Sequence, residues 1–129
     1  MVLDGPLLNL SASAVQPLTM VLHELVTNAA RHGALSGAAG RVELSWRVGR
    51  RAGEDELVRL RWAESDGPST EEAPGHRGFG FRVIDSTVRG QLGGTVRRCW
   101  SAPGLVCEIV VPAARLLAGG RPAPERSAA

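Results

Sequence analysis

The sequence predicts an α+β fold: a two-layer sandwich in which helices cover one face of a mixed, mostly antiparallel sheet. Two pairs of segments alternate between apolar and polar residues, with a short linker inside each pair, which is typical of β-hairpins. A segment with apolar residues at helical spacing precedes each pair. The expected chain order is therefore strand, helix, hairpin, loop, helix, hairpin.

The N-terminal part is predicted to form a short strand, Leu7–Ser11, followed by the first helix. Ser13 and Gln16 have the spacing of a capping box, and Pro17 then falls in the first helical turn, where its missing N–H does little harm. Gly33 is the predicted end of this helix. The core-facing stripe repeats at spacings of 3, 4, 3 and 4 residues and consists of Val15, Leu18, Leu22, Leu25 and Ala29.

Two hairpins are separated by a loop and the second helix. RVELSWRV and ELVRLRWAE alternate and flank the polar stretch GRRAGED, so they predict the first hairpin. The stretch Ser65–Gly78 is rich in Gly, Pro, Ser and Glu and predicts a mobile loop. Phe81, Ile84 and Val88 then have helical spacing, and TVRRCWS and LVCEIVVP predict the last hairpin. We expect one domain over residues 3–117 and a disordered tail over residues 118–129.

The composition is that of a globular domain and excludes several classes of protein. Of 129 residues, 43% are hydrophobic and 22% are charged, unlike a disordered or fibrous chain. The net charge is +2, and the 15 basic residues, all arginine, are scattered along the sequence without aromatic residues between them, which argues against nucleic-acid binding. No apolar run approaches the roughly 18 residues of a membrane span, and no signal peptide opens the chain. With only two cysteines, we expect a cytoplasmic protein with reduced, buried thiols.

Three polar residues lie along one edge of the first helix. At about 100° per residue, Glu24, Asn28 and Arg31 fall within about 60° of one another, beside the apolar stripe. Carboxylate and carboxamide oxygens suit Mg²⁺, and Arg forms forked hydrogen bonds with phosphate oxygens. This ridge therefore fits a metal–phosphate ligand. The helix by itself leaves a second interpretation open, a solvated edge with an intrahelical contact between Asn28 and Arg31.

Two further elements point to the same chemistry. WAESDGP ends a strand in Glu64 followed by a Gly turn, where a carboxylate can accept a hydrogen bond from an exocyclic amine. The stretch GFG, Gly78–Gly80, separates the loop from the second helix, and glycines there let backbone N–H groups approach phosphates at a helix N-terminus. A lone Gly-x-Gly is weak evidence, but the three elements in this order indicate a nucleotide site.

Together these segments resemble the catalytic ATP-binding domain of histidine kinases, which has the Bergerat (GHKL ATPase) fold, and within that group the HWE subfamily. HELVTNAARHGAL is similar to the N box of that family, with His23 as the H of its name. WAESDGP is similar to the G1 box, with Trp62 and Glu64 as the W and the E. RGFGFRVI resembles the G2 box, and LGGTVRRCWSAPGLVCEIVVP resembles the closing hairpin, so the resemblance covers residues 3–112.

The resemblance implies roles for residues of the first helix. Asn28 would ligate the Mg²⁺ that bridges the phosphates of ATP, and Glu24 would orient or activate groups at the γ-phosphate. Arg31, where many relatives have Lys, would neutralise phosphate charge. His23 would lie next to these residues and support them, without contacting the reacting atoms of the nucleotide.

The resemblance also implies roles for the G1 and G2 segments. Glu64 would hold the adenine amino group, and a lid carrying His76 would close over the phosphates. Asp66 stands where the family usually has Gly, so its side chain would crowd the base or add negative charge near the phosphates. The nucleotide-binding residues implied are His23, Asn28, Arg31, Glu64, Gly67, Arg77, Gly78, Phe79 and Gly80.

The implied function is that of an enzyme of two-component signalling, which binds Mg²⁺–ATP and donates the γ-phosphoryl group to a histidine. The acceptor would lie on a dimerisation domain outside this chain, in cis or in trans, because none of the three His residues lies on a helical hairpin. A response-regulator receiver domain would be the second partner, with no nucleic acid and no membrane insertion. Two alternatives stay open: a docking module that binds nucleotide poorly, and a serine kinase that resembles the anti-sigma-factor kinases.

Overall fold

A computed structural model of the chain describes residues 1–50, 55–67, 78–101 and 104–120. The elements are β1 (Val2–Asp4), α1 (Ala12–His32), β2 (Arg41–Gly49), β3 (Leu57–Ser65), α2 (Gly78–Gly90), β4 (Thr95–Ser101), β5 (Gly104–Pro112) and α3 (Ala113–Leu116), with 3-10 turns at Ala34–Ser36 and Ala118–Gly120. The strand order in the sheet is β1–β2–β3–β5–β4. Strand β1 is parallel to β2 and every other neighbouring pair is antiparallel, which confirms the predicted mixed α+β sheet.

The core lies between one face of the sheet and the helices, because inward and outward residues alternate along each strand. In β3, Val58, Leu60 and Trp62 are buried, whereas Arg59 and Arg61 between them are exposed. The alternation predicted for the hairpins is thus confirmed, and so is the helical spacing of the second helix. The helices contribute Leu18, Val21, Leu25, Ala29, Phe81, Ile84 and Val88 to this core.

The N-terminal strand is not the one that the sequence predicted. Val2–Asp4 pairs with β2, whereas Leu7–Ser11 contributes an isolated bridge to Leu117. The indole N–H of Trp46 donates a hydrogen bond to the carbonyl of Pro6 at 2.7 Å and holds the chain where it leaves the sheet. Apart from the bridge of Leu10 to Leu117, the leucines that follow therefore pack against their neighbours instead of pairing. They line an apolar groove of about 470 Å³ whose walls include Leu7, Leu8, Leu10, Leu18, Leu22 and Val26.

The first helix begins earlier than predicted. Helix α1 starts at Ala12, so the predicted capping box of Ser13 and Gln16 is wrong, and both residues lie inside the helix. Pro17 is then an interior residue rather than part of the first turn, and it has no N–H to donate to the preceding turn. The C-cap is Gly33, as predicted, with its N–H donating to the carbonyl of Ala29.

The start of α1 is held by the C-terminal part of the chain rather than by a local cap. Ser11, the N-cap residue, makes no side-chain cap hydrogen bond. Its backbone N–H donates to the carbonyl of Leu116 at 2.8 Å, and its hydroxyl donates to the carbonyl of Arg115 at 3.3 Å. A contact between residues so far apart in the sequence extends the helix beyond the position that the local pattern indicates.

The buried stripe of α1 is rotated from the predicted one. Val15 is 48% exposed and Leu22 is half-buried, whereas Ala14 and Val21 are buried. Both sets of residues have helical spacing, so spacing alone does not distinguish neighbouring stripes of a helix that is apolar over more than one face. The observed stripe includes Asn28, which the sequence placed at its edge.

Parts of three predictions lie outside the described residues. The loop predicted over Ser65–Gly78 lies mostly outside them, as do residues 121–129 of the predicted tail. The backbone N–H of Ala118 donates to the carbonyl of Asn9 at 2.8 Å, and the domain boundary at residue 117 stays a prediction. Within the described ranges, no helix is long and apolar enough to cross a lipid bilayer.

The face of the sheet opposite the helices, here called the open face, gathers arginines that are far apart in the sequence. They occupy outward positions on β2, β3 and β4, where they alternate with inward residues. The interpretation that the arginines are scattered is therefore wrong in three dimensions, because strand pairing brings one third of the 15 together. The exposed arginines of the open face are Arg41, Arg47, Arg59, Arg61 and Arg97.

Candidate functional site

One end of the sheet brings together the C-terminal end of α1, the end of β3, the start of α2, the end of β4 and the start of β5. The backbone N–H of Ala34, just after α1, donates to the carboxylate of Glu64 in β3 at 2.9 Å. Gly104, at the start of β5, lies against the backbone of Glu64. Phe81 of α2 packs on Trp100, near the end of β4. These contacts place the three sequence elements proposed for nucleotide binding at the same end of the molecule.

Asn28 is the buried polar residue of α1 at this end. Its side chain is 7% exposed, and its Nδ2 has no hydrogen-bond partner among the described residues. A buried polar group left unpaired costs about 1–3 kcal/mol, so the amide is poised for a partner that the polypeptide described here does not supply. No hydrogen bond joins Asn28 to Arg31, both of which are described, so the alternative of a solvated edge with that contact is not observed.

The other predicted residues of α1 differ in their position relative to Asn28. Glu24 is half-buried and lies one turn earlier, and Arg31 is exposed near the end of the helix. The ridge therefore carries an acidic side chain, a buried amide and a basic side chain in succession. His23 is exposed and lies about 140° round the helix from Asn28, so it faces away from the amide.

Glu64 is almost fully buried, and both of its carboxylate oxygens accept hydrogen bonds. Oε1 accepts from the backbone N–H of Ala34 at 2.9 Å, and Oε2 accepts from the indole N–H of Trp62 at 3.0 Å. Burying an unpaired carboxylate costs several kcal/mol, and two charge-assisted hydrogen bonds offset that cost. Sequence reasoning missed this contact, although residues two apart in a strand share a face and the W-x-E spacing could have predicted it.

Glycines permit the close packing around Glu64. A Cβ on Gly67 would lie 2.5 Å from the Cα of Ala34. A Cβ on Gly104, which has a φ of +148°, would lie 2.5 Å from the carbonyl oxygen of Glu64. Gly67, predicted as a nucleotide contact, therefore has a packing function at this site, and the importance of Gly104 was not recognised in the sequence.

Asp66, the departure from the family pattern, lies beside this packing. Its φ is +57°, in the left-handed region that Gly adopts most easily and that Asp tolerates better than most residues. The side chain is exposed. The backbone conformation thus gives a physical reason for the usual Gly, and the exposed carboxylate follows the buried Glu64 by two residues.

The stretch GFG forms the first turn of α2 rather than a linker before it, because α2 begins at Gly78. Aromatic and ionic contacts anchor this end of the helix to β4. The rings of Phe81 and Trp100 are 5.9 Å apart and nearly perpendicular, and the guanidinium of Arg98 lies 4.5 Å from the centre of the Phe81 ring. Arg98 also forms an ion pair with Asp85 at 3.0 Å. The amides of the first turn, which have no intrahelical acceptor, are thereby held at the site.

Some predicted residues are not described. His76 and Arg77 lie outside the described ranges, and so does the side chain of Phe79, so their roles stay predictions. Among the residues that are described, no three His, Cys, Asp or Glu side chains lie together as a metal-binding group.

Comparison of the sequence with known proteins finds histidine kinases. No family model matches the chain. A blue-light-activated histidine kinase of Rhizobium johnstonii is 41% identical over 113 residues, which cover 88% of this chain and 32% of that protein. Blue-light-activated histidine kinase 1 of Erythrobacter litoralis is 41% identical over 111 residues, which cover 84% of this chain and 29% of that protein. The chain therefore spans about a third of the length of these relatives.

Solved structures have the same fold. The blue-light activated histidine kinase EL346 of Erythrobacter litoralis matches with a TM-score of 0.66 at 22% identity, over 86% of this chain and 34% of that one. The catalytic domain of histidine kinase ThkA matches with a TM-score of 0.61 at 17% identity, over 86% of this chain and 77% of that one. Sequence and fold agree: the chain belongs to the HWE-type histidine kinases, and its fold is that of histidine kinase catalytic domains.

Proposed function

We propose that this chain binds Mg²⁺–ATP at the end of the sheet where Asn28, Glu64 and the start of α2 meet. We propose further that it presents the γ-phosphoryl group to a histidine on a separate dimerisation domain. The observation that carries the proposal is the buried amide of Asn28, whose Nδ2 has no hydrogen-bond partner among the described residues. The unpaired Nδ2 group can donate a hydrogen bond to a phosphate oxygen, and the Oδ1 of the same carboxamide suits Mg²⁺.

The residues of α1 would bind the charged part of the nucleotide. Mg²⁺, when bound, would neutralise charge on the phosphates, and Asn28 would hold it through Oδ1. The guanidinium of Arg31, which is exposed, would bind phosphate oxygens, and the carboxylate of Glu24 would orient groups at the γ-phosphate. The free amides of the first turn of α2 would donate to the same phosphates.

Glu64 would recognise the base. A carboxylate has about four lone-pair sites, so it can accept a hydrogen bond from an adenine amino group in addition to those from Ala34 and Trp62. Those two contacts keep the carboxylate in place before the nucleotide arrives. Phosphoryl transfer depends on positioning and charge neutralisation, which a site of this kind supplies without a protein nucleophile.

Calorimetry with a non-hydrolysable ATP analogue tests the nucleotide site. The wild-type chain should bind the analogue only with Mg²⁺, and Asn28→Ala should bind at least about tenfold more weakly. Gln16→Ala is the matched control, because it removes an exposed carboxamide near the other end of the same helix. Equal affinity of the wild type and Asn28→Ala would remove Asn28 from the site.

Labelled ATP tests the transfer step. The chain should phosphorylate a helical-hairpin domain that carries an acceptor histidine and is supplied in trans. The product should be labile in acid and stable in alkali, as a phosphohistidine is. A product that is stable in acid and labile in alkali would instead indicate the serine-kinase alternative.

Asp66 favours a second candidate function, a docking module for a receiver domain. Its exposed carboxylate lies beside the candidate site, where it would repel nucleotide phosphates. Such a module would bind a receiver domain and give no heat with the ATP analogue. Binding of the analogue with Mg²⁺ would exclude this alternative.

A further inference from the structure

The arginines of the open face form a compact group on neighbouring strands. Arg47 of β2 lies directly opposite Arg59 of β3, and Arg61 lies two residues further along β3. Glu108 of β5 pairs with Arg61 on one side and with Arg97 of β4 on the other. Because neighbouring strands are about 4.8 Å apart, these four arginines and one carboxylate span about 14 Å of the sheet.

The open face carries a disproportionate share of the positive charge of the chain. Its five arginines stand against three acidic residues, Asp4, Glu43 and Glu108. The face thus has a net charge of +2, and the other ten basic and ten acidic residues of the chain balance each other. A face with this excess attracts an acidic partner.

Most of these guanidinium groups form no ion pair or hydrogen bond with another described residue. Arg47 forms an ion pair with Asp4 at 2.8 Å. The other four, all described and exposed, have no ion pair or hydrogen bond to another described residue. The like charges of Arg47 and Arg59 directly opposite each other also work against the stability of the sheet. The four arginines without such a partner among the described residues are Arg41, Arg59, Arg61 and Arg97.

A shallow depression lies within this group. It has a volume of about 210 Å³, and its lining includes Ser45, Arg47, Arg59, Arg61 and Glu108. The planar fork of an Arg side chain matches a carboxylate with two parallel hydrogen bonds, and three arginines line this depression. Acidic side chains of a partner would therefore form ion pairs and forked hydrogen bonds with the arginines of this depression.

The composition of the open face favours a protein over a nucleic acid or a membrane. Trp46, Trp62 and Trp100 stand at inward positions, so no tryptophan of the sheet is available on this face to stack on bases. A membrane of anionic lipid presents a single sign of charge, so it does not complement the acidic residues Glu43 and Glu108 that lie among these arginines. Glu108, surrounded by arginines, adds an alternation of charge that a structured protein surface can complement.

We propose that the open face docks a protein partner through carboxylates on the surface of that partner. The proposed nucleotide site lies on the helix-covered side of the sheet, towards which the side chain of Glu64 is turned, so the two surfaces are separate. Docking does not rest on the proposed kinase activity, and the failure of either proposal leaves the other intact.

Fluorescence anisotropy with labelled poly-L-glutamate as the acidic probe tests this proposal. The wild-type chain should bind at low ionic strength and lose affinity as salt is added. Arg59→Gln/Arg61→Gln should bind at least about tenfold more weakly. The matched control is Arg82→Gln/Arg89→Gln, which removes the same charge from exposed positions of α2 and should stay within about twofold of the wild type.

Two further measurements keep the proposal falsifiable. NMR titration of the wild-type chain with poly-L-glutamate should shift amide signals of β2, β3 and β5 and leave those of α1 unchanged. Parallel titrations use polyuridylate and vesicles of phosphatidylserine and phosphatidylcholine. Equal losses in the two double variants, shifts centred on α1, or tighter binding of polyuridylate or vesicles with the same arginine dependence would each overturn the proposal.

Discussion

Replacing Glu64 tests how the candidate site is held together. Glu64→Ala removes the acceptor of two buried donors, the indole N–H of Trp62 and the backbone N–H of Ala34. A buried donor left unsatisfied costs about 1–3 kcal/mol, so the two together should lower the free energy of unfolding by about 3 kcal/mol. Glu64→Gln keeps one acceptor oxygen and points its amide NH2 group at the other donor, so it should cost about half as much.

Urea denaturation followed by circular dichroism measures these free energies. Glu43→Ala is the control, because it removes the same charge from an exposed position of β2 and should change stability by less than about 0.5 kcal/mol. A loss for Glu64→Ala as small as that of the control would refute the reasoning. It would mean that the two donors find other acceptors when the carboxylate is absent.

Three further predictions concern the packing, the backbone and the thiols. Gly67→Ala places a Cβ 2.5 Å from the turn after α1, so it should lower the free energy of unfolding by about 1–3 kcal/mol in urea denaturation. Gly49→Ala is the control and should be nearly neutral, because the space around Gly49 is open. Equal effects would contradict the close approach. Asp66→Gly relieves a left-handed residue and removes a charge, so calorimetry should show unchanged or tighter binding of the ATP analogue, and weaker binding would contradict this. The expectation of buried thiols is wrong for Cys99, which is exposed, whereas burial raises the pKa of Cys107 from 9.0 to about 12. Mass spectrometry should therefore find iodoacetamide on Cys99 alone until the chain unfolds. The protonated Cys107 thiol contributes stability below pH 9.0 that is lost as the pH rises towards 12, and equal labelling of both thiols in the native state would contradict the burial.

Local patterns predicted the parts of the fold that depend on neighbouring residues. The alternation of β3 follows from which side chains face the core, and the sequence shows it directly. The end of α1 at Gly33 follows from a residue that cannot continue the helix favourably. Phe81, Ile84 and Val88 are buried because their spacing puts them on one side of α2.

Contacts between distant residues were beyond the reach of those patterns. The start of α1 depends on the hydrogen bond from Ser11 to Leu116, and neither residue carries a local sign of it. The group of arginines on the open face depends on strand register, which puts Arg47 opposite Arg59 across the first hairpin. The alternation of each strand was predicted, but a charge pattern across strands requires the pairing as well.

The candidate site likewise combines a contact that the local pattern contains with a contact between residues that are distant in the sequence. The resemblance to histidine kinases indicated Asn28 and Glu64 as ligand-binding residues, but not what each contacts in the folded chain. The contact between Trp62 and Glu64 is local, within one strand, and the spacing contains it. The contact from Ala34 to Glu64 joins the end of α1 to β3 and appears only when the chain is folded.

Asn28 and Glu64 are both buried and polar, and their hydrogen bonds give them different functions. Glu64 accepts from two donors of the chain, so it contributes to stability whether or not a nucleotide is bound. The Nδ2 of Asn28 has no partner among the described residues, so its burial is a cost to the fold that a bound ligand can offset. It follows that changes at Glu64 should act first on folding and changes at Asn28 first on binding. A binding site requires both kinds of residue. Residues such as Glu64 keep the surrounding structure rigid, and residues such as Asn28 keep polar groups that can bind a ligand.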